Sequence, residues 1–336
     1  MPARQMAKRC IIAMLLLFSC LLLFAGCTPA GEEGTSTPQD GSVEDAAAAG
    51  DSAEEAVLTV TDSLGEELVF SAAPQSVVCL QASLAEIWLL AGGTMVGVTD
   101  DAGERGLDIG DAAPVGTTHS PSTEAIFALA PDLVVYSPDI SGQTEAAGVL
   151  EQAGIVCYAA KVDTFDDYID VLSDFCTLTG DDTAFLEYGE AVEAEIAAVI
   201  DAVPEGIEPP SVLFMRGYSS GVKAKAREHV VCDILDDLGA DNIAARHDSL
   251  LEDVSLETVI AEDPAFIFVV YMGEDNAAAE AALAESLTNN PAWADLRAVR
   301  EGNFITLPRE LFHYKPNQRW REAYAYIFDI LYPQSE

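Results

Sequence analysis

The chain has 336 residues, half of them hydrophobic, with 57 Asp and Glu against 16 Lys and Arg and a formal net charge of −41. So dense a negative charge repels phosphate and excludes nucleic acid as a partner, and it favours solubility. With half the residues apolar, burial is not what limits folding.

Arg4, Lys8 and Arg9 precede an apolar run from Ile11 to Ala25. That order is the n-region and h-region of an export signal, and the run is too short for a comfortable membrane span. It ends at Phe24-Ala25-Gly26-Cys27, which resembles the lipobox of bacterial lipoproteins. The resemblance implies removal of residues 1–26, a diacylglycerol on Cys27, and anchoring at the outer face of the cytoplasmic membrane or in the periplasm. Phe24 stands where the pattern usually has Leu, and Cys20 is a rival cleavage site. Residues 27–56 are Gly, Glu, Ser, Thr, Asp and Ala with almost no large apolar side chain, which reads as a disordered tether. About 280 residues remain, more than one core usually holds, and this suggests two lobes.

Val57 to Asp62 and Glu67 to Phe70 flank Ser63-Leu64-Gly65 as a β-hairpin. Apolar runs without polar alternation follow at Ser76–Leu80, Thr94–Val98, Asp132–Tyr136 and Ile155–Ala159. Such runs suit parallel strands covered on both faces. The same alternation of strand and helix returns with Ser211–Met215, Ala265–Tyr271 and Asn303–Leu307. The fold class is therefore α/β, with two Rossmann-like lobes at residues 57–162 and 206–336 and a ligand cleft between them. Residues 163–205 read as a helical connector, one stretch from Phe165 to Leu178 and a longer one from Thr183 to Val203, with a stop at Thr179-Gly180 and an N-cap at Asp181-Asp182. The second helix would be about 30 Å long, enough to pass from one lobe to the other.

An internal echo ties the lobes together. Ser122, Glu124 and Pro131 before the strand ending at Tyr136 match Ser255, Glu257 and Pro264 before the strand through Val269, each a short helix, a Pro turn and a buried strand.

With Val77 to Glu86, Val96-Gly97-Val98, Pro131 to Val135, Asp237 to Ile243, Asn290 to Trp293 and Tyr314 to Trp320 in that order, the chain resembles the helix-linked solute-binding proteins of ABC importers for ferric siderophores, haem and cobalamin. The resemblance covers almost the whole mature chain. It implies a monomer that catalyses nothing and carries no intrinsic cofactor. Its ligand would be a small-molecule metal chelate, a ferric siderophore or haem, with cobalamin as the alternative. Its partners would be a permease homodimer and the attached ATPase. In that family one acidic residue per lobe docks onto the permease, and Glu124 and Glu257 occupy the matching positions. A two-fold partner presents the same basic patch twice, so one carboxylate per lobe suffices. The competing reading makes each Glu a capping-box residue after its Ser.

Ligands of α/β lobes sit at the carboxyl ends of parallel strands. That rule selects Ser83, Asp100, Asp101, His119 and Tyr136 in the first lobe and Arg216, Tyr218, Tyr271, Met272, Phe312, His313, Tyr314 and Lys315 in the second. Without Arg4, Lys8 and Arg9 the chain keeps 13 cations, of which eight fall in Arg216–Arg227 and Arg309–Arg321. Arg216, Lys223, Lys225 and Lys315 are candidates to neutralise anionic oxygens of a ligand, while the aromatic residues cover its apolar face.

Two other readings compete. Gly217-Tyr218-Ser219-Ser220-Gly221 matches the GxSxG elbow of serine hydrolases in form, but that elbow needs a helix directly after the serine, and Gly221 to Ala226 alternates like a strand or turn. A bare zinc or manganese ion would need several His, and only His119, His229, His247 and His313 exist; His119 and His313 fall in cleft loops, whereas His229 and His247 read as surface residues. Cys79, Cys157, Cys176 and Cys232 have no CxxC spacing and read as buried free thiols.

Overall fold

The computed structural model describes residues 57–273 and 276–333. The expected signal, Cys27 and the tether lie outside the described residues.

Strands β1 (Leu58–Thr61) and β2 (Glu67–Phe70) pair antiparallel as the expected hairpin. Asp62 closes its turn by accepting the backbone N–H groups of Leu64 and Glu66, and its other oxygen accepts from Ala159, which docks the hairpin on the first sheet. That sheet holds β3 (Val77–Cys79), β4 (Gly97–Val98), β5 (Ala113–Pro114), β8 (Leu133–Tyr136) and β9 (Val156–Ala159), all parallel, in the order β5-β4-β3-β8-β9. Between β5 and β8 a small hairpin of β6 (Gly116–Thr117) and β7 (Ser120–Pro121) leans over its carboxyl end. The second sheet is built on β10 (Ser211–Tyr218), which pairs antiparallel with β11 (Gly221–Ala224) and parallel with β12 (Asp241–Asn242) and β13 (Phe266–Tyr271); β14 (Phe304–Thr306) extends it beside β13. The long apolar strands are those legible in the sequence; β5, β6, β7 and β12, two residues each, were not.

The connector departs from a plain pair of helices. Its first helix, Phe165–Thr179, starts in a capping box at Thr164 and Asp167 and stops at Gly180 with φ of 77°. The second is α-helical over Asp182–Phe185, widens to a π-turn over Leu186–Glu190, and resumes over Ala191–Asp201. Tyr168 reaches into the widened turn and donates its hydroxyl to the Tyr188 carbonyl at 3.0 Å. The resumed helix packs along the C-terminal helix Trp320–Leu331.

Each sheet is covered on both faces. One apolar cluster around Val78, Ile126 and Leu150 fills the outer face of the first sheet, and another around Leu213, Val259 and Trp293 fills the corresponding face of the second. The largest cluster runs without interruption from Val60 through Trp88, Phe165 and Phe175 to Phe214, Trp320 and Tyr332, so both sheets and the connector share one core layer. Phe165 of the connector meets Trp320 of the C-terminal helix edge to face at 5.7 Å. Cys79, Cys157, Cys176 and Cys232 are buried and unpaired, as expected.

Carboxylates are buried at the rim of this layer. Burial, with Asp237, Asp166 and Asp167 nearby, pushes Asp233 up to about 7, although the Phe165 backbone N–H opposes the shift. Burial likewise pushes Asp174 up to about 6 against the opposing hydrogen bond from Tyr158. A carboxyl that binds its proton more tightly folded than unfolded loses stability as pH rises from its unfolded value, 3.8, through its folded one. The contribution of these two groups to the melting temperature should therefore fall between about pH 4 and pH 7, by on the order of 5 °C. Asp233→Asn should flatten that slope and melt higher than the parent at pH 8, as read by calorimetry; an unchanged slope would contradict the assignment.

Candidate functional site

A cavity of about 640 Å³ opens between the carboxyl ends of the two sheets. The first lobe contributes Gln81 and Ser83 after β3, Asp100 to Arg105 after β4, Thr117 to His119 from the β6-β7 hairpin, and Ile140. From the second lobe come Arg216 and Tyr218 on β10, Ser219 and Ser220 in the β10-β11 turn, Met272 and Gly273 after β13, and Arg309 with His313 to Lys315 after β14. The loops are held from beneath. Gln143, fully buried on the helix Ser141–Gln152, donates to the carbonyls of Leu80 and Thr118 at 2.6 and 2.9 Å and accepts from the Ser137 N–H at 2.7 Å, joining three of them. Gly142 beside it has no room for a side chain, since a Cβ would lie 2.0 Å from the His119 carbonyl oxygen.

Of the residues selected from the sequence, Ser83, Asp100, Asp101, His119, Arg216, Tyr218, Met272, His313, Tyr314 and Lys315 line this cavity. Several have partners already. Asp101 accepts from the Ala82 N–H and the Thr99 hydroxyl, and Lys315 donates to Asp163 at 3.1 Å. The Ser83 hydroxyl accepts from Arg105 at 2.6 Å.

Tyr136, Tyr271 and Phe312 do not reach the cavity. Tyr136 ends a strand buried on both faces and stays in the outer core, where burial pushes its phenol up to about 12. Tyr271 turns its ring onto Gly217, where a Cβ would come within 2.8 Å of it, and Phe312 packs fully buried against Tyr326. Lys223 on the edge strand β11 and Lys225 just after it lie outside the lining, and Lys223 is exposed beside Glu252 and Asp253. His229 is also corrected: it is buried, its ring packs on Phe214 at 4.8 Å, and its Nδ1 accepts the Val231 N–H. The GxSxG segment is a two-residue hairpin turn, with Tyr218 paired to Gly221 and no helix after Ser219.

Glu104, Arg105 and Arg309 were missed. Scarcity of cations was the usable signal for the two arginines. The Arg105 guanidinium donates to Ser83 and to Glu86 at 2.9 Å and lies over the Tyr314 ring, 4.8 Å from its centroid. Arg309 lies 5.6 Å from the same ring and donates to the Asn276 amide oxygen. Arg216 stacks on Tyr218 at 5.3 Å, and its Nε is buried with no hydrogen-bond partner. Among the described residues neither Arg216 nor Arg309 has a carboxylate in salt-bridge range. The His313 imidazole registers the resulting field. Burial first, then Arg309, Arg216, Arg105 and Lys315, hold it down to about 4, and its Nδ1 faces the Met272 sulfur at 3.2 Å.

Glu124 and Glu257 are exposed and lie outside the cavity lining. Ser122 and Ser255 cap their helices by accepting from Ala125 and Thr258, so Ala125 and Thr258 hold the third helical position and neither Glu is a capping-box residue.

The profile of the periplasmic binding protein family matches residues 77–311. The Fe(3+) dicitrate-binding periplasmic protein FecB of Escherichia coli K12 is 23% identical over 268 residues, 72% of this chain and 86% of FecB. Among solved structures, a periplasmic binding protein from Veillonella parvula superposes with a TM-score of 0.66 at 18% identity, over 83% of this chain and 99% of that one. A periplasmic heme binding protein from Pseudomonas aeruginosa gives 0.62 at 25% identity, over 78% and 94%.

With burial and the neighbouring cations holding it down to about 4, His313 should be neutral at neutral pH. Ring chemical shifts followed by NMR between pH 3.5 and 8 should titrate with a midpoint near 4, and Arg309→Ala should raise it. A midpoint above about 6, the ordinary imidazole range, would contradict the cationic field.

Proposed function

The chain belongs to the periplasmic binding protein family, and from that premise we propose that it captures an anionic ferric chelate outside the cytoplasmic membrane and passes it to the permease and ATPase of an ABC importer. One observation carries this reading. In a chain of net charge −41, Arg105, Arg216, Arg309 and Lys315 converge on one cavity between the lobes.

Its volume of about 640 Å³ lies inside the range of small-ligand sites, roughly 300–1,000 Å³. Glu86 and Asp163 already answer Arg105 and Lys315, which leaves Arg216 and Arg309 to a ligand. A carboxylate-rich chelate supplies the planar, two-oxygen partner that guanidinium groups prefer. FecB, named for a ferric dicitrate, supports the same chemistry in a relative. Cobalamin, neutral overall, would bring no net negative charge to answer Arg216 and Arg309. For a bare zinc or manganese ion, no group of three or more His, Cys, Asp or Glu is placed to hold a metal among the described residues.

Haem is the second reading, favoured by His313 and Tyr314, which offer nitrogen and oxygen donors to iron beside cations suited to two propionates. Docking would use Glu124 and Glu257, and the lipid on Cys27 would keep the protein, as a monomer, at the outer face of the cytoplasmic membrane or in the periplasm.

Fluorescence titration with ferric citrate, haem and cobalamin tests the reading. Arg216→Ala and Arg309→Ala should each weaken the preferred iron ligand by about tenfold or more, the effect of losing a charge-assisted bond, while Lys223→Ala should change nothing. Tight cobalamin binding that neither arginine variant disturbs would overturn it.

A further inference from the structure

The two lining cations that have carboxylate partners are not held alike. Arg105 is fixed three times over, by the Glu86 carboxylate at 2.9 Å, by the Ser83 hydroxyl at 2.6 Å and by the Tyr314 ring over which it lies. Its departure would strand Glu86, a largely buried acid with no other cation in reach. Lys315 makes one polar contact among the described residues, to Oδ1 of Asp163 at 3.1 Å.

Asp163 lies outside the cavity lining, next to the Thr164 cap of the connector. Its backbone N–H donates to Asp167 of the capping box, which fixes the chain at this point. The second oxygen of Asp163 faces another ammonium, that of Lys161 just after β9, at 3.4 Å. Lys161 does not line the cavity either. When Lys315 leaves, Lys161 therefore remains to answer the charge of Asp163, a substitute that Glu86 lacks.

The backbone around Lys315 is pinned as well. The Tyr314 N–H donates to the Arg309 carbonyl at 3.0 Å, and Asn317 is fully buried with its amide on Ser83 and Glu86. What can move is the lysine stem, a flexible chain of four carbons. Three guanidinium groups line the same cavity, so in the ligand-free protein they drive the ammonium towards Asp163. An anion bound among them reverses the sign of that push. The pair it must break is only partly buried, with side chains 27% and 18% exposed, and such pairs are weak.

We propose that Asp163 is a stand-in carboxylate, which holds Lys315 in the ligand-free protein and yields it to an anionic ligand while Lys161 takes over its charge. Lys315 then joins Arg216 and Arg309 as the third cation on the ligand. Asp163 and Lys161 touch nothing in the cavity and yet set its affinity, one as an internal competitor and the other by weakening that competitor. The exchange also discriminates, because a neutral ligand gives Lys315 no reason to leave Asp163. It rests on the anionic ligand proposed above.

Calorimetric titration of the purified full-length chain with ferric citrate and with haem tests the exchange. Asp163→Asn keeps the size of the side chain and removes its charge, and it should tighten the bound anion about three- to fivefold, the scale on which a partly exposed ion pair competes. Lys161→Ala leaves Lys315 as the one cation on Asp163 and should weaken binding by a similar factor. Both effects should vanish in a Lys315→Ala background, which separates the exchange from a general change in charge. If Asp163→Asn binds no tighter than wild type, or its gain persists without Lys315, while Arg216→Ala and Arg309→Ala still weaken binding, the exchange is overturned and the anionic ligand stands. If neither probe binds, or neither arginine variant weakens binding, the anionic ligand falls and the exchange falls with it.

Discussion

The carboxylate of Glu86 is held from both halves of the molecule at once. Arg105 donates to it from the first lobe at 2.9 Å, and the Asn317 amide from the second at 2.7 Å. Asn317 also donates to the Ser83 carbonyl at 3.0 Å, and it is fully buried in the left-handed region at φ 52°, a conformation that asparagine tolerates better than most side chains. A largely buried acid must keep such partners, because removing one leaves an uncompensated charge in a poor solvent. These bonds tie the second lobe to the loop after β3 beside the cavity, and the bond to Glu86 holds the Arg105 guanidinium over Tyr314. Together with the core layer shared by both sheets, this preorganises the cleft and reduces the ordering a ligand has to bring about.

Charge is distributed to the same end. A chain with so large an excess of acid repels anions at long range, yet its cavity sets four cations beside three carboxylates, Asp100, Asp101 and Glu104, an excess of cations found in a chain where acids outnumber bases. His313 is held down by burial first and by those cations after it, and the Arg216 Nε is buried without a partner among the described residues. Arg105 and Lys315 have carboxylate partners, whereas among the described residues Arg216 and Arg309 have none in salt-bridge range.

What could be read from the sequence follows from the physics of each element. Strands buried on both faces declare themselves as unbroken Val and Ile runs, and the echo announced a repeated helix-turn-strand unit whose caps and left-handed ends match closely. The same unbroken runs conceal which face a terminal residue takes, which is why Tyr136 and Tyr271 were placed in the cleft and lie in the core. Arg105 follows a four-residue helix in a Gly- and Asp-rich stretch with no periodicity to mark it, and Gln143 is a polar residue whose three loop contacts exist only in three dimensions. The π-turn at Leu186–Glu190 leaves the apolar spacing of the connector nearly unchanged, so periodicity does not register it.

Native mass spectrometry of the protein purified from its own iron-starved host addresses the central claim most directly, because it identifies what the cleft takes from everything available. The expected result is one equivalent of an iron-bearing anion, absent from a variant in which Arg216 and Arg309 are both replaced by Ala. A corrinoid, or an adduct without iron that survives in that variant, would contradict the account.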